Sequence, residues 1–533
     1  MGGFTTPAAA PELKKLFADK VKDLSTDPID CINMETLVNE GKLTVDQVAA
    51  YVDAVGTVDF WAGVFAAWSA GFGASVFNLS SLSVARAASI VNSTNLSTSK
   101  AASIFDNTNL SVDRVASICD NANIASARLK AILDSGNFTN ADKVAAVLDS
   151  DSLTAADAAS HIQSAVYTDT LYINALESTY LSAAKANSIL AHANLTADRT
   201  QTLLYGMSLA AKLVDILTYG AGNLTVSSNT SISGVNRYDT LTVNSGVTLT
   251  ITGQPGALIV KSLSNSGTIA KSATGGVGGS APSYAGPGGV GGGGLIIFAN
   301  TLGNSGIISA DGAAGVNGTS TTSSGAGGGG GGSGVFFRVG TDVAGTGGNG
   351  GYLPGAGGAG PGGVNGGGGG GLASSIPGGA GDGSSYTSFD YYSSLASKIR
   401  KAVIDWVIIN VFGKSPTTTE SIPNAYGSGG GGGAVQNDIG VGGGGGGGGG
   451  EILVLCINLN STGTIRANGG NGGGGGYEGA DDAGGGGGGG GIVYALYKSL
   501  TSSGTLNANG GAAGGGDHPG SAGTAGTAKA VAV

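Results

Sequence analysis

Tyrosine, aspartate and histidine side chains interrupt the long glycine runs in the C-terminal half of this chain. Tyrosine is rigid and amphipathic and is favoured in contact loops on inert frames, and loops on a rigid frame often carry function. We therefore predict that these residues recognise a binding partner. The alternative is that they only cap the ends of the structure that the glycine runs form. The candidates are Tyr284, Tyr352, Tyr426, Tyr477, Asp481, Asp482 and His518.

Patterns for catalysis or metal binding are weak. The chain has three histidines, and its three cysteines lie far apart, at Cys31, Cys119 and Cys456. Matches to Gly-x-Gly-x-x-Gly follow from the 105 glycines alone, and none joins a strand to a helix with an acidic residue downstream. Glu478, Asp481 and Asp482 offer oxygens to Ca²⁺, but we favour an exposed acidic loop. We predict no catalytic site, no metal site and no cofactor.

The charge balance argues against nucleic acid as a partner. Lys and Arg together number 25 in 533 residues, and the formal net charge is −10. A nucleic-acid-binding domain needs a basic surface that neutralises phosphates.

The N-terminus lacks the apolar stretch of an export signal, since Pro7, Pro11 and Lys14 fall there. This pattern favours a protein that assembles inside the cell.

Asn-x-Ser/Thr sequences are frequent and make N-glycosylation a second candidate chemistry. Many of them belong to a recurring Asn-Leu-Ser/Thr motif, so helix capping explains several. The remainder would suit a glycan-coated outer surface. The candidate asparagines are Asn78, Asn92, Asn95, Asn109, Asn137, Asn194, Asn223, Asn229, Asn317 and Asn460.

A 14-residue repeat organises the N-terminal half. Each unit opens with an apolar residue and a small or polar one, such as Leu110 and Ser111, before a short amphipathic stretch. The pattern predicts a helix capped by Ser111, with Leu110 and Val115 packed together as a hydrophobic staple. The lead apolar residues are spaced by 14, with one step of 15: Leu82, Leu96, Leu110, Ile124, Phe138, Leu153, Tyr167, Leu181 and Leu195.

Helices of about ten residues are not stable alone in water, so neighbouring units must bury their apolar faces. We expect a helical solenoid or a compact bundle of short helices. A continuous coiled coil is the competitor because two heptads also give this period, but the repeated capping motif argues against it. Residues 60–77 carry no charge. They are expected to form a buried or subunit-contacting helix, with membrane contact as the alternative.

Alternating sequences and a second repeat family mark the C-terminal half as β structure. Residues 240–252 alternate polar and apolar side chains with the period of two that strands show. Four later copies place a Gly four residues after a Leu, which predicts a strand, a tight turn and a short second strand. These glycines are Gly267, Gly306, Gly463 and Gly504. The copies are hairpins or rungs of one β scaffold.

Glycine runs lie next to these strands and repeat with them, and the longest are 442–450 and 484–491. Poly-Gly is ordinarily a flexible linker, but runs that alternate with strands are expected to pack with one another. Gly chains can do so as polyglycine-II helices, which have three residues per turn and hydrogen bonds between neighbouring chains. Residues 395–412 interrupt the runs with an amphipathic pattern, which predicts one inserted helix within 389–412.

Together these patterns predict a multidomain α + β protein: a helical attachment region in 1–80, a helical repeat domain in 81–216, and a Gly-rich β and polyglycine-II domain in 217–533. Residues 270–533 resemble the receptor-binding adhesins at the tips of tailed-phage long fibres, on the basis of Gly runs separated by short aromatic loops. Gly-rich attachment proteins of archaeal viruses are similar in composition. The β rungs, the inserted helix and the helical array depart from the phage pattern.

The resemblance implies a viral adhesin on the virion surface, at a tail or spike. In that family the loops between Gly helices contact host receptors, so the loop residues named above would bind a host glycan or protein. The helical half would dock to other virion structural proteins, in an oligomer or multi-copy assembly. A purely structural virion or cell-surface protein is the second hypothesis. A glycan-active enzyme is the third, although the rungs carry Ser, Thr and Asn where paired carboxylates are required.

Overall fold

The computed structural model describes residues 31–208, 211–273, 286–319, 330, 429–430, 432–433, 441–476 and 482–532. In these residues fourteen helices come first and nine strands follow. The chain divides after Met207 into a helical unit and a second unit that contains the strands. The prediction of a mixed α and β protein with the helical array first is confirmed. The predicted helix within 389–412 lies outside the described residues.

The helices are short and are joined by brief connections. In chain order they are α1 Met34–Asn39, α2 Val45–Ala54, α3 Val58–Ala67, α4 Ala70–Asn78, α5 Val84–Asn92, α6 Thr98–Asp106, α7 Val112–Cys119, α8 Ser126–Leu133, α9 Ala141–Asp149, α10 Ala155–Gln163, α11 Asp169–Glu177, α12 Ala183–Ala191, α13 Ala197–Gly206 and α14 Ala211–Thr218.

Side-chain caps begin nearly every helix of the array. At the start of α7, Ser111 accepts a hydrogen bond from the backbone N–H of Arg114, which confirms the predicted cap. From α2 to α13 only α8 lacks such a bond, because Ala125 occupies its N-cap position. The lead apolar residues of the repeat are all buried, from Leu82 to Leu195. The repeat therefore encodes both the start of each helix and its contribution to the core.

Each helix packs against the helix two places further along the chain. This arrangement runs without a break from the pair α2 and α4 to the pair α11 and α13. Two rows of helices result, and the array is a helical solenoid. The coiled-coil alternative is wrong because extended N-cap residues separate successive helices. Residues 45–78 share this packing, so the described part of the predicted attachment region is continuous with the repeats.

Basic side chains connect each helix to the end of an earlier one. Arg114, in the first turn of α7, donates from Nε to the Phe77 carbonyl at 2.7 Å and from Nη2 to the Leu79 carbonyl at 3.1 Å, both at the end of α4. A cation there satisfies free carbonyls and interacts favourably with the helix dipole. The same position makes equivalent bonds elsewhere in the array, through Arg86, Lys100, Arg128, Lys143, Lys185 and Arg199.

Residues 60–77 form two helices rather than the single one predicted. The break falls at Trp68, and Ser69 caps α4 by accepting from the N–H of Phe72. The aromatic rings pack together inside the array, with Phe65 and Phe77 stacked at 4.5 Å between ring centroids. In the described part of the chain no helix combines the length and apolar character that crossing a membrane requires.

The strands of the second unit all pair in parallel, so the repeated copies are rungs and not hairpins. Strands β5 and β6 form one rung, which pairs with β3 and β4 on one side and with the two ends of β7 on the other. Their bounds are β1 Leu224–Val226, β2 Thr230–Val243, β3 Thr248–Asn265, β4 Thr268–Lys271, β5 Gly294–Asn304, β6 Ile307–Ser309, β7 Glu451–Arg466, β8 Ile492–Asn507 and β9 Thr527–Ala532.

Glycines stack over one another where each rung bends. A Cβ on Gly306 would lie 2.0 Å from the carbonyl oxygen of Gly267, and a Cβ on Gly463 would lie 2.1 Å from that of Gly306. Beside this column, Nδ2 of buried Asn265 donates to Oδ1 of Asn304 at 2.8 Å, next to the bend. The predicted turn glycines are therefore required because the backbones of successive rungs touch at the bend.

Both faces of the central strands are buried. Leu258, Ile297, Val454 and Ala495 stand in register across four rungs and belong to one apolar core. On the other face, α14 packs against β2, β3 and β5. Asp215 of α14 forms a salt bridge of 2.9 Å with Lys261 of β3. The division between the units thus falls before α14, whereas the sequence placed it at residue 217, after most of this helix.

Glycine-rich runs connect the rungs. A run that follows the second strand of a rung is called an outgoing run; these are 310–318, 467–476 and 508–516. A run that precedes the first strand of the next rung is called a returning run; these are 286–293, 442–450, 483–491 and 519–526. Within 442–450 every third backbone N–H donates to the returning run 483–491. The donors are Gly443, Gly446 and Gly449, and the acceptors are the carbonyls of Ala483, Gly486 and Gly489. The N–H groups of the residues that follow these donate to the outgoing run 310–318: the donors are Gly444, Gly447 and Gly450, and the acceptors are the carbonyls of Val316, Ala313 and Ala310.

We expect Gly447→Ala to destabilise the second unit strongly, because its Cβ would lie 2.1 Å from the Val290 carbonyl oxygen. Separating two packed backbones should cost about 2–4 kcal/mol of the free energy of unfolding. Gly515→Ala is the matched control, since a Cβ there meets nothing within 4 Å, and it should change stability by less than about 1 kcal/mol. Calorimetry of the full chain measures both. Equal unfolding temperatures for the two variants would contradict the packing of the runs.

Candidate functional site

Outgoing and returning runs bond to each other in antiparallel directions. Gly491, next to β8, donates to the carbonyl of Ala467 at 2.8 Å, and Gly485, further along, donates to that of Gly473 at 2.8 Å. The segment that joins two such runs must therefore lie at the end furthest from the strands, which we call the distal end. Nine residues at the rise of an extended three-fold chain, about 3.1 Å each, place this end about 28 Å from the strands.

The described distal residues include two of the predicted contact residues, Asp482 and His518. The N–H of His518 donates to the Asp482 carbonyl at 2.9 Å, so two successive turns meet there. Asp482 is 4% exposed, whereas His518 is half-buried and the adjacent Asp517 is exposed. His518 is therefore the more accessible of the two. The other candidates lie outside the described residues: Tyr284, Tyr352, Tyr426, Tyr477 and Asp481.

The outgoing runs expose a flank of asparagine and aspartate side chains that the sequence analysis missed. On this flank, Oδ1 of Asp311 accepts from the backbone N–H of Asn468 at 2.8 Å, and Oδ1 of Asn468 accepts from that of Asn509 at 2.8 Å. Three residues further along, Oδ1 of Asn471 accepts from the N–H of Ala512 at 2.9 Å. Each side chain thus supplies the acceptor for an N–H of the next rung. We call this surface the asparagine flank.

A signal for this flank was present in the sequence. Each outgoing run opens with Ala, then Asp or Asn, then Gly, directly after a strand: 310–312, 467–469 and 508–510. The first residue of each triplet is buried and the second is not. Arg466 precedes one triplet, and its Nε donates to Oδ2 of Asp311 at 2.8 Å. Burial raises the pKa of the Asp311 carboxyl, against the lowering effects of the Asn468 N–H and Arg466.

The candidate glycosylation residues separate into three groups by what their amides do. The atom that a glycan would modify, Nδ2, donates to backbone carbonyls of earlier helices in Asn95, Asn109, Asn137 and Asn194. Oδ1 accepts from a backbone N–H in Asn78, Asn92, Asn229 and Asn317. Asn223 and Asn460 are exposed, and among the described residues their side chains have no hydrogen bond.

A buried polar cluster lies around His161 in α10. Its Nδ1 is 2.6 Å from Oδ1 of Asp134, and its Nε2 is 3.1 Å from the hydroxyl of Tyr172. The ring also packs edge-on against Tyr167. Burial lowers the pKa of His161, although Asp134 opposes this shift. Within the described ranges no group of three or more His, Cys, Asp or Glu residues is arranged to hold a metal ion, and His161 serves packing.

None of the three cysteines forms a disulfide, and all three are buried. Burial raises the pKa of the Cys456 thiol to about 12. A thiol held neutral in this way is a poor nucleophile and a poor metal ligand. Cys456 acts as a small apolar side chain of the core.

Comparison with known proteins finds no relative. No protein-family model matches the chain, no curated protein matches it, and no solved structure matches it.

Asn109→Ala should lower the free energy of unfolding of the helical unit by about 1 kcal/mol. The change removes the hydrogen bond of 3.2 Å from Nδ2 to the Gly71 carbonyl, which joins α4 to the segment before α7. Thr108→Ala is the neighbouring control, because Thr108 is exposed. Urea unfolding followed by helical circular dichroism measures both variants. A smaller loss for Asn109→Ala than for Thr108→Ala would show that the amide does not connect the repeats.

The helical unit should lose stability as the pH falls from about 6.5 towards 5. The folded state holds His161 neutral because its pKa is lowered, whereas in the unfolded chain histidine takes up a proton near pH 6.5. Stability from this residue is therefore present above that pH and is lost below it. Urea midpoints at several pH values test this. His161→Gln should flatten the dependence on pH; a slope equal to that of the wild-type chain would refute the prediction.

Proposed function

We propose that this protein is a viral attachment protein, a virion-surface adhesin whose glycine frame carries host-contacting loops. The observation that supports this best is the hydrogen bonding of the runs, in which successive N–H groups of 442–450 turn to different neighbours with a period of three. We infer that the runs are packed polyglycine-II helices, since this conformation has three residues per turn and no internal hydrogen bonds. Such a frame has the character of the phage adhesins that residues 270–533 resemble.

The frame itself is suited to holding loops in place. Its backbone N–H and C=O groups form hydrogen bonds between runs. Many such bonds form together, and they offset the entropic cost of ordering glycine. Most of its residues have no side chain with which to recognise a partner. Specific contacts must therefore come from the segments between runs or from the asparagine flank.

The distribution of side chains favours the distal end as the contact surface. Segments 274–285, 477–482 and 517–519 adjoin distal ends of runs in the sequence, and they contain Tyr284, Tyr477, Asp481, Asp482 and His518. The other two candidates, Tyr352 and Tyr426, belong to the stretch 319–441. Tyrosines on such segments combine contact area with a polar tip. We propose that these segments bind a host-surface glycan or protein.

The helical unit suits docking to the virion. Each of its helices packs against the helix two places further along, and solenoids of this type present extended surfaces to protein partners. We propose that other virion structural proteins, in a multi-copy assembly, contact this surface. The second candidate is a purely structural virion or cell-surface protein, which the bonded frame also suits and which would need no receptor.

Binding of the full chain to a panel of candidate host cells tests the proposal. Changing Tyr352, Tyr426 and Tyr477 together to alanine should remove saturable binding, because these side chains supply rigid contact area. The matched control changes Tyr205 and Tyr219, which are exposed outside the Gly-rich frame, and should bind as wild type. Folded wild-type chain that binds none of the cells would instead favour the structural role.

A further inference from the structure

A cleft of about 320 Å³ lies on the asparagine flank. Its polar lining comes from Asp311, Arg466, Asn468, Asn471 and Asn509, and glycine backbone with Ala314 forms the rest. The volume is at the lower end of the range for small-ligand sites. This cleft lies among outgoing runs and is distinct from the distal segments proposed to contact the host.

A missing side chain creates the depression. Asp311 and Asn317 each accept a backbone N–H from the next run, at Asn468 and Gly474. Ala314 lies midway between them in the three-residue period and has no acceptor to offer. Within the part of the chain that the structure describes, the N–H of Asn471 consequently has no hydrogen-bond partner. It is a fixed backbone donor that borders the cleft.

The asparagine amides are also fixed in orientation. Oδ1 of Asn468 and Oδ1 of Asn471 both accept from backbone N–H groups, so each amide must point its NH₂ group away from that bond. The NH₂ groups are donors, and the described residues offer them no partner. Asp311 adds a carboxylate whose two oxygens retain lone pairs beside Arg466. Donors and an acceptor are thus held in place before any ligand arrives.

The balance of charge and polarity selects the ligand class. Arg466 is paired with Asp311 at 2.8 Å, so the cleft has little net charge to attract phosphate, sulfate or carboxylate groups. Ala314 is the one apolar side chain in its lining, which gives an apolar ligand no surface to bury. Hydroxyl groups both donate and accept, and they match amide NH₂ groups next to a carboxylate.

We propose that this cleft binds a neutral saccharide. Ligand hydroxyl oxygens accept from the Asn471 N–H and from the NH₂ groups of Asn468 and Asn471, and a ligand hydroxyl donates to Asp311. The site is independent of the tyrosines proposed to contact the host. It makes the protein a carbohydrate-binding protein whether or not those residues contact a receptor.

Ala314→Asn is the decisive variant, because it fills the cleft with a side chain that completes the flank. The new side chain lies three residues from Asp311 and three from Asn317, so its Oδ1 should accept the Asn471 N–H as those two residues accept theirs. Folding should therefore be unchanged or improved. Ala512→Asn is the matched control, since Ala512 is exposed on the next outgoing run and outside the cleft lining. Asn471→Asp retains the acceptor for Ala512 but replaces the NH₂ donor.

The full-length chain is applied to an array of neutral oligosaccharides built from hexoses, pentoses and N-acetylhexosamines, beside sialylated and sulfated ones. We expect wild type and Ala512→Asn to bind the same neutral glycans, Ala314→Asn to bind none, and Asn471→Asp to bind about tenfold more weakly. Wild-type protein that binds no neutral glycan, binds only the charged ones, or binds equally well after Ala314→Asn would overturn the proposal.

The array also separates this proposal from the attachment function. The variant with Tyr352, Tyr426 and Tyr477 changed to alanine should retain the array signal, because none of these residues lines the cleft. Loss of cell binding with a retained array signal supports both proposals. Retained cell binding by Ala314→Asn, together with loss of its array signal, assigns the saccharide to the cleft and the cell receptor to another surface.

Discussion

Direct contact between backbones is the constraint on which the second unit depends. The N–H of one run meets the carbonyl of another run with no side chain between them: the Gly470 N–H donates to the Gly447 carbonyl oxygen at 2.7 Å. A Cβ on Gly470 would fall 1.9 Å from the Ala313 carbonyl oxygen, so only glycine can occupy such positions. Ordering glycine is entropically costly, and a single run has no internal hydrogen bonds that oppose this cost. The runs are therefore ordered only as a set.

The other features of this unit follow from keeping the runs in register. The parallel rungs hold their starting points aligned, and the glycine column at Gly267 and Gly306 lets those rungs approach closely at the bend. Where a run faces solvent, its N–H groups need another acceptor, which the asparagine flank supplies. Ala314 interrupts that supply and leaves a donor at a cleft. The backbone N–H that Ala314 leaves without an acceptor is a donor of the proposed saccharide site.

The helical unit meets the same requirement with side chains. Short helices leave many N–H and C=O groups free, and each N-cap satisfies only the beginning of its own helix. The ends are satisfied by residues three helices further along the chain, such as Arg114. Asn109 connects the same two helices through the Gly71 carbonyl in the first turn of α4. The Asn-Leu-Ser/Thr motif is therefore explained in large part by contacts between repeats. At Asn109 and Asn137, for example, Nδ2 is the atom that a glycan would modify, and it donates to a backbone carbonyl of an earlier helix.

Local signals in the sequence determined the helix starts, the buried lead residues and the turn glycines, because a cap such as Ser111 acts over three or four residues. The sequence did not determine which elements meet. The partner of β5 on one side is β7, and the 121 residues from 320 to 440 lie between their rungs and carry no pairing signal. Burial of Asp482, the break at Trp68 and the lack of an acceptor for the Asn471 N–H among the described residues depend on such distant neighbours. Tertiary structure decided them, because burial and hydrogen bonding need two residues in contact. The sequence gives the identity of each residue but not which distant residue it meets.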